Sequence, residues 1–139
     1  MVCLLPTMSR YCCNYLHYFL ELSQMMNDFI EATKNEGSFN QSGWPTSSYG
    51  ISKMGVNFLT QLLQRNFDSE EPKRNLRVNS CCPGLVETDM TRGKHPKESY
   101  LTPDQGAQTP VYLALLPTSN TTVKGCFYKS KENVSFPPS

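Results

Sequence analysis

Two small groups of residues in this sequence carry side chains that do chemistry. Tyr49 and Lys53 stand four residues apart in Tyr49-Gly50-Ile51-Ser52-Lys53, a spacing that puts both on one face of a helix. A free phenol, with a pKa of about 10, is a poor acid–base catalyst at neutral pH, and a neighbouring ammonium favours the phenolate. Together the two form a candidate proton donor. The competing reading is two solvated residues on an exposed face, and the spacing alone does not decide between them. The second group is Cys81-Cys82, directly before Pro83-Gly84. A reactive thiol needs a cationic neighbour or a helix N-terminus, and neither is evident, so these cysteines read as small apolar filler in a strand.

The element that positions the Tyr–Lys pair is the clearest in the chain. Ile51, Met54, Gly55, Phe58, Leu59, Leu62 and Leu63 recur at helical spacing and predict a helix over 49–66. At about 100° per residue, Tyr49 and Lys53 fall nearly opposite the stripe of Ile51, Gly55, Phe58 and Leu62, so core packing does not explain them. Leu22, Met25, Met26, Phe29 and Ile30 predict an earlier helix that stops near Lys34 and Gly37. Residues 1–20 show neither clean periodicity nor a cap and are left unassigned, and 37–48 reads as a loop. Leu76 to Cys82 reads as a strand ended by Pro83-Gly84. Thr102-Pro103-Asp104-Gln105 is a capping box with proline at the first helical position. It predicts a helix through Leu116, kinked at Pro110 and ended by Pro117. Gly125 to Tyr128 reads as a last strand and 135–139 as a disordered tail. A helix, strand, helix, strand order suggests part of an α/β unit with a parallel sheet.

Composition narrows the function classes. The 139 residues are 38% apolar and 18% charged, with net charge +1. There is no basic run to follow a phosphate backbone or an anionic membrane, so neither nucleic acid nor membrane is expected as a partner. Two adjacent cysteine pairs and two single cysteines, without Cys-x-x-Cys and with only His17 and His95 as imidazoles, make no metal pattern. The apolar N-terminal stretch is interrupted by Pro6, Arg10, Asn14 and His17 and makes a poor signal peptide. Free thiols in the cytoplasm are the expectation, so the glycosylation patterns at Asn40, Asn120 and Asn133 carry no weight.

Tyr49-Gly50-Ile51-Ser52-Lys53 resembles the Tyr-x-x-x-Lys signature of the short-chain dehydrogenase/reductase family. Pro83-Gly84 followed by Val86-Glu87-Thr88-Asp89 is similar to that family's loop after its sixth strand. Gly43-Trp44-Pro45, Asn79-Ser80-Cys81-Cys82-Pro83-Gly84, Thr88-Asp89-Met90 and Thr109 to Pro117 resemble the NADPH-dependent carbonyl reductases within it, over roughly residues 21–128. The helix at 21–34 resembles the extra helix those reductases carry before the tyrosine. The resemblance implies a partial Rossmann-type unit, the C-terminal half of a doubly wound parallel sheet, spanning 21–134. It also implies reduction of ketones, aldehydes or quinones with NADPH. In that reading Tyr49 protonates the nascent alkoxide, and Lys53 binds the nicotinamide ribose and acidifies Tyr49. Val86, Glu87 and Thr88 meet the nicotinamide end, and Leu85 lines the substrate pocket where carbonyl reductases carry tryptophan.

Other family parts have no counterpart here. None of the eight glycines forms the glycine-rich turn that holds a pyrophosphate. The catalytic serine and asparagine belong upstream, and Ser9 and Asn14 are only nominal matches, left unassigned. The expectation is therefore a truncated chain, inactive alone and prone to self-association through an open sheet edge. Two alternatives stand beside it: a non-catalytic interaction module derived from a reductase, and a thiol redox protein working through Cys81-Cys82.

Overall fold

A computed structural model of the chain describes residues 6–34, 43–45, 47–70, 72–96 and 99–134, with side chains described from Tyr15 onward. The chain divides into two compact units, one ending at Leu76 and the other beginning at Arg77.

The first unit is a pair of helices, α1 (Pro6–Lys34) and α2 (Ser48–Ser69). Ser47 caps α2, its hydroxyl accepting the N–H of Gly50 at 3.0 Å, which satisfies one of the unpaired donors of the first turn. The predicted stripe faces inward: Ile51, Gly55 and Leu62 are buried and Phe58, Leu59 and Leu63 half-buried. The absent side chain at Gly55 lets α1 approach, because a Cβ there would meet Met26 Sδ at 3.0 Å. Phe29 is buried and meets the edge of the Trp44 ring, with centroids 5.4 Å apart, a favoured aromatic geometry. At the far end Gln64 is buried, and its amide donates to Asp68 at 3.1 Å and to the Leu76 carbonyl at 3.2 Å.

Helix α1 starts much earlier than the periodicity at Leu22 predicts. Pro6 suits the first helical position, and no glycine or proline interrupts the sequence from Thr7 to Lys34. Helix α1 ends at Lys34 as expected. The rest of the predicted loop at 37–42, the tail at 135–139, and the side chains of Ser9, Cys12, Cys13 and Asn14 lie outside the described residues, as does Cys3.

The second unit is a small α/β layer. Its strands are β1 (Ser80–Cys82), β2 (Phe127–Lys129) and β3 (Glu132–Val134), and α3 (Pro103–Ala114) lies between β1 and β2 in sequence. Strands β1 and β2 pair in parallel, Ser80 opposite Phe127 and Cys82 opposite Lys129, which makes a β–α–β crossover. The capping box at Thr102 and Gln105 forms as predicted, and Pro110 lies inside the helix. Arg77 holds the other end of α3: its guanidinium donates to the carbonyls of Leu116, Pro117 and Asn120, each at 3.0 Å. The Asn79 side chain bridges the Val123 carbonyl and the Cys126 N–H, both at 3.1 Å, and ties β1 to the chain entering β2.

Two strand expectations need correction. The strand predicted from Leu76 begins at Ser80, because the Leu76 carbonyl is taken by Gln64 and the Arg77 side chain turns to α3. The sheet is also not purely parallel. Strand β3 pairs antiparallel with β2, joined by the two-residue turn Ser130-Lys131 with φ values of 52° and 65°. Two positive φ values in a two-residue hairpin make a type I′ turn, usually built from Asn and Gly. Ser-Lys gave no such signal.

Candidate active site

Tyr49 and Lys53 lie in the first two turns of α2, on the face away from Ile51, Gly55 and Leu62. Tyr49 is 68% exposed. The Lys53 ammonium reaches over the Tyr49 ring, 5.4 Å from its centroid, within range of a cation–π attraction. Ser52 donates its hydroxyl to the Tyr49 carbonyl at 2.8 Å, leaving the phenol itself free of that serine. The pair is thus held together by the helix and left open to a ligand: a phenol and an ammonium on one face, neither occupied by the core.

Leu85, Val86, Glu87 and Thr88 follow β1 in the second unit. Gly84 turns the chain with φ of 84°, and a Cβ on it would lie 2.7 Å from Leu101 Cδ1, so glycine is required there for both conformation and space. Val86 forms a parallel bridge with Leu101. Leu101 donates its N–H to the Leu85 carbonyl at 2.7 Å and accepts that of Glu87 at 2.9 Å. The Val86 side chain packs on α3, where a Cβ on Gly106 would come within 2.3 Å of Val86 Cγ2. The Glu87 carboxylate lies 4.0 Å from Arg92, which also pairs with Asp89 at 3.3 Å. Leu101 and Gly106 therefore shape this segment. Periodicity carried no signal for them, because Leu101 acts through its backbone and Gly106 through the space it leaves for Val86.

A cavity of about 270 Å³ opens beyond the ends of β1 and β2. Pro83, Gly84, Leu101, Gln108, Thr109 and Lys131 are among its lining residues. It lies at the carboxyl end of parallel strands, where α/β sheets bind ligands, but Leu85 does not line it. Cys81, Cys82 and Cys126 are free thiols. Burial, and secondarily Cys82 beside it, pushes the Cys81 thiol above its ordinary value, the opposite of activation. Among the described residues no three His, Cys, Asp or Glu side chains converge on a metal-sized site, and no helix is long and apolar enough to cross a membrane.

Taken unit by unit, the residues suit a polar ligand: in the first unit the Tyr–Lys pair is open, and in the second Gly84 keeps the backbone clear of a Cβ and the Val86 N–H has no partner among the described residues.

The short chain dehydrogenase family pattern matches residues 35–99. Mouse carbonyl reductase [NADPH] 3 is 43% identical over 112 residues, which cover 81% of this chain and 39% of the mouse protein. The human carbonyl reductase [NADPH] 3 is 46% identical over 105 residues, covering 76% and 36%. Human carbonyl reductase [NADPH] 1 is 41% identical over 111 residues, covering 80% and 38%. The chain spans about two-fifths of the length of the curated relatives it matches. With its Tyr–Lys helix, its Pro-Gly loop and these matches, the chain belongs to the short-chain dehydrogenase/reductase family.

Proposed function

We propose that residues 21–134 carry the proton-donating and nicotinamide-facing part of an NADPH-dependent carbonyl reductase acting on small ketones, aldehydes or quinones. The observation that carries the reading is the Tyr49–Lys53 pair, turned off the core with the ammonium 5.4 Å from the ring centre, inside a stretch 40–46% identical to carbonyl reductases. Bound NADPH would supply the hydride. Tyr49 would hold a proton at its hydroxyl for the oxygen of the carbonyl being reduced. Lys53 would bind the nicotinamide ribose and hold positive charge beside the phenol. Val86, Glu87 and Thr88 would line the nicotinamide, and Leu85, smaller than tryptophan, would widen the adjoining substrate space. A cytoplasmic location suits the free thiols.

The sequence has no glycine-rich turn for the pyrophosphate, so in this reading the chain alone neither holds NADPH tightly nor turns over substrate. The test is a fusion in which residues 21–134 follow the upstream part of human carbonyl reductase [NADPH] 3. Oxidation of NADPH with a panel of quinones and ketones supports the proposal. A folded fusion without carbonyl-dependent NADPH oxidation overturns it.

A further inference from the structure

Two hydroxyls, those of Tyr100 and Thr91, tie the loop after Pro83-Gly84 to itself. Tyr100 Oη accepts the N–H groups of Lys94 at 3.2 Å and His95 at 3.0 Å, and donates to the Thr91 carbonyl. A phenol has one donor and two acceptor positions, so its hydrogen-bonding capacity is used in full. Thr91 passes the constraint on. Its Oγ1 accepts the Thr88 N–H at 3.0 Å and donates to the Val86 carbonyl. From the other side Leu101, the residue after Tyr100, holds the Leu85 carbonyl and the Glu87 N–H. Each of the four residues Leu85 to Thr88 thus gives at least one backbone group to this strap, and Thr88 gives both, its carbonyl accepting the N–H groups of Thr91 at 3.0 Å and Arg92 at 2.9 Å.

No apolar core does the same work. Asp89, Arg92, Gly93, Lys94, His95 and Pro96 are exposed, and Met90 is 72% exposed. Beyond Thr88 the described part of the loop buries little apolar surface, so it sits at the low end of local stability and depends chiefly on its hydrogen bonds.

We infer that Tyr100 and Thr91 are positioning residues. Through their hydroxyls they hold Leu85–Thr88 in the shape in which that segment meets the nicotinamide end of NADPH, an inference that rests on the function proposed above. Neither side chain touches the cofactor in this scheme. Both act through the backbone of the residues that do.

Amide hydrogen exchange on the chain itself reads the strap directly. In Tyr100→Phe, exchange rises at Lys94 and His95 and, by about tenfold, at Glu87 and Thr88. Thr91→Val accelerates Thr88, and Thr91→Ser, which keeps the hydroxyl, restores the slow rate. Faster exchange confined to Lys94 and His95, or Thr91→Ser behaving as Thr91→Val, overturns the inference. The Thr91 pair decides it should Tyr100→Phe fail to fold. In the fusion, Tyr100→Phe raises KM for NADPH about tenfold and leaves kcat within about twofold, and an unchanged KM overturns the link to the cofactor. A wild-type fusion that does not oxidise NADPH sinks the proposed function instead, and the exchange pattern still decides the strap.

Discussion

The Lys53 ammonium stands 5.4 Å from the centre of the Tyr49 ring, one turn further along the same helix. The helix alone fixes this relationship, so replacing either side chain tests chemistry with little effect on the fold. In the fusion, Tyr49→Phe removes only the hydroxyl and lowers kcat by about a hundredfold or more, with unchanged helical circular dichroism. Retention of most of kcat would remove Tyr49 as the acid. Lys53→Met lowers kcat and weakens NADPH together, because it deletes both the ribose contact and the adjacent charge.

Cys81 should behave as a half-buried, unactivated thiol. Its pKa is raised by burial first and by Cys82 second, so less thiolate is present at neutral pH and alkylation slows. Mass-spectrometric timing of iodoacetamide labelling shows Cys81 modified more slowly than free glutathione at pH 7.5 (about one unit below an ordinary thiol), with the gap narrowing as pH rises. Labelling as fast as glutathione would revive the thiol redox reading.

At Gly106 two effects compete. Alanine is the better helix former by about 1 kcal/mol, but its Cβ would lie 2.3 Å from Val86 Cγ2. Valine is short and branched and cannot swing its methyl clear, and overpacking of this kind costs about 1–3 kcal/mol. Gly106→Ala is therefore expected to destabilise the second unit in urea and to speed exchange around Val86. A stabilised variant would show that Val86 has room to move.

Arg77 joins the start of the second unit to the end of α3 through three carbonyls. Arg77→Ala leaves those carbonyls to water and costs about 2 kcal/mol, the range for hydrogen bonds from a charged donor. Urea unfolding of the variant checks this. A change within the error of the midpoint would mean that water replaces the guanidinium at no cost.

The parts of this fold legible in sequence are those with a periodic or capping signature. The stripe from Ile51 to Leu63 gave α2 and the outward face of Tyr49 and Lys53, and Thr102 with Gln105 gave the start of α3. What escaped has no period. The β2–β3 turn uses Ser130 and Lys131 in a left-handed conformation that their residue types do not announce. The Thr91–Tyr100 strap depends on which backbone groups two hydroxyls happen to reach. The site divided the same way: helical spacing revealed the Tyr–Lys pair, whereas the residues that shape Leu85–Thr88 emerged only with the loop's hydrogen bonds.

Self-association is expected through β1, which lies at one side of the three-stranded sheet and has a strand neighbour only in β2 among the described residues. Analytical ultracentrifugation of the isolated chain is expected to show dimers or larger species. A monomer at tens of micromolar concentration would mean that the edge is protected.

The hairpin gives the sheet a direction. Strand β3 is three residues long, exposed throughout, and bears Glu132 and Asn133. A short strand with a charged residue is a poor template for further pairing. It also runs against β1 and β2, so the parallel array stops after β2. Strand β3 works as a chain terminator for the sheet, and any strand that extends the parallel array must add beside Ser80–Cys82, at the end of the layer from which the Pro83-Gly84 loop departs.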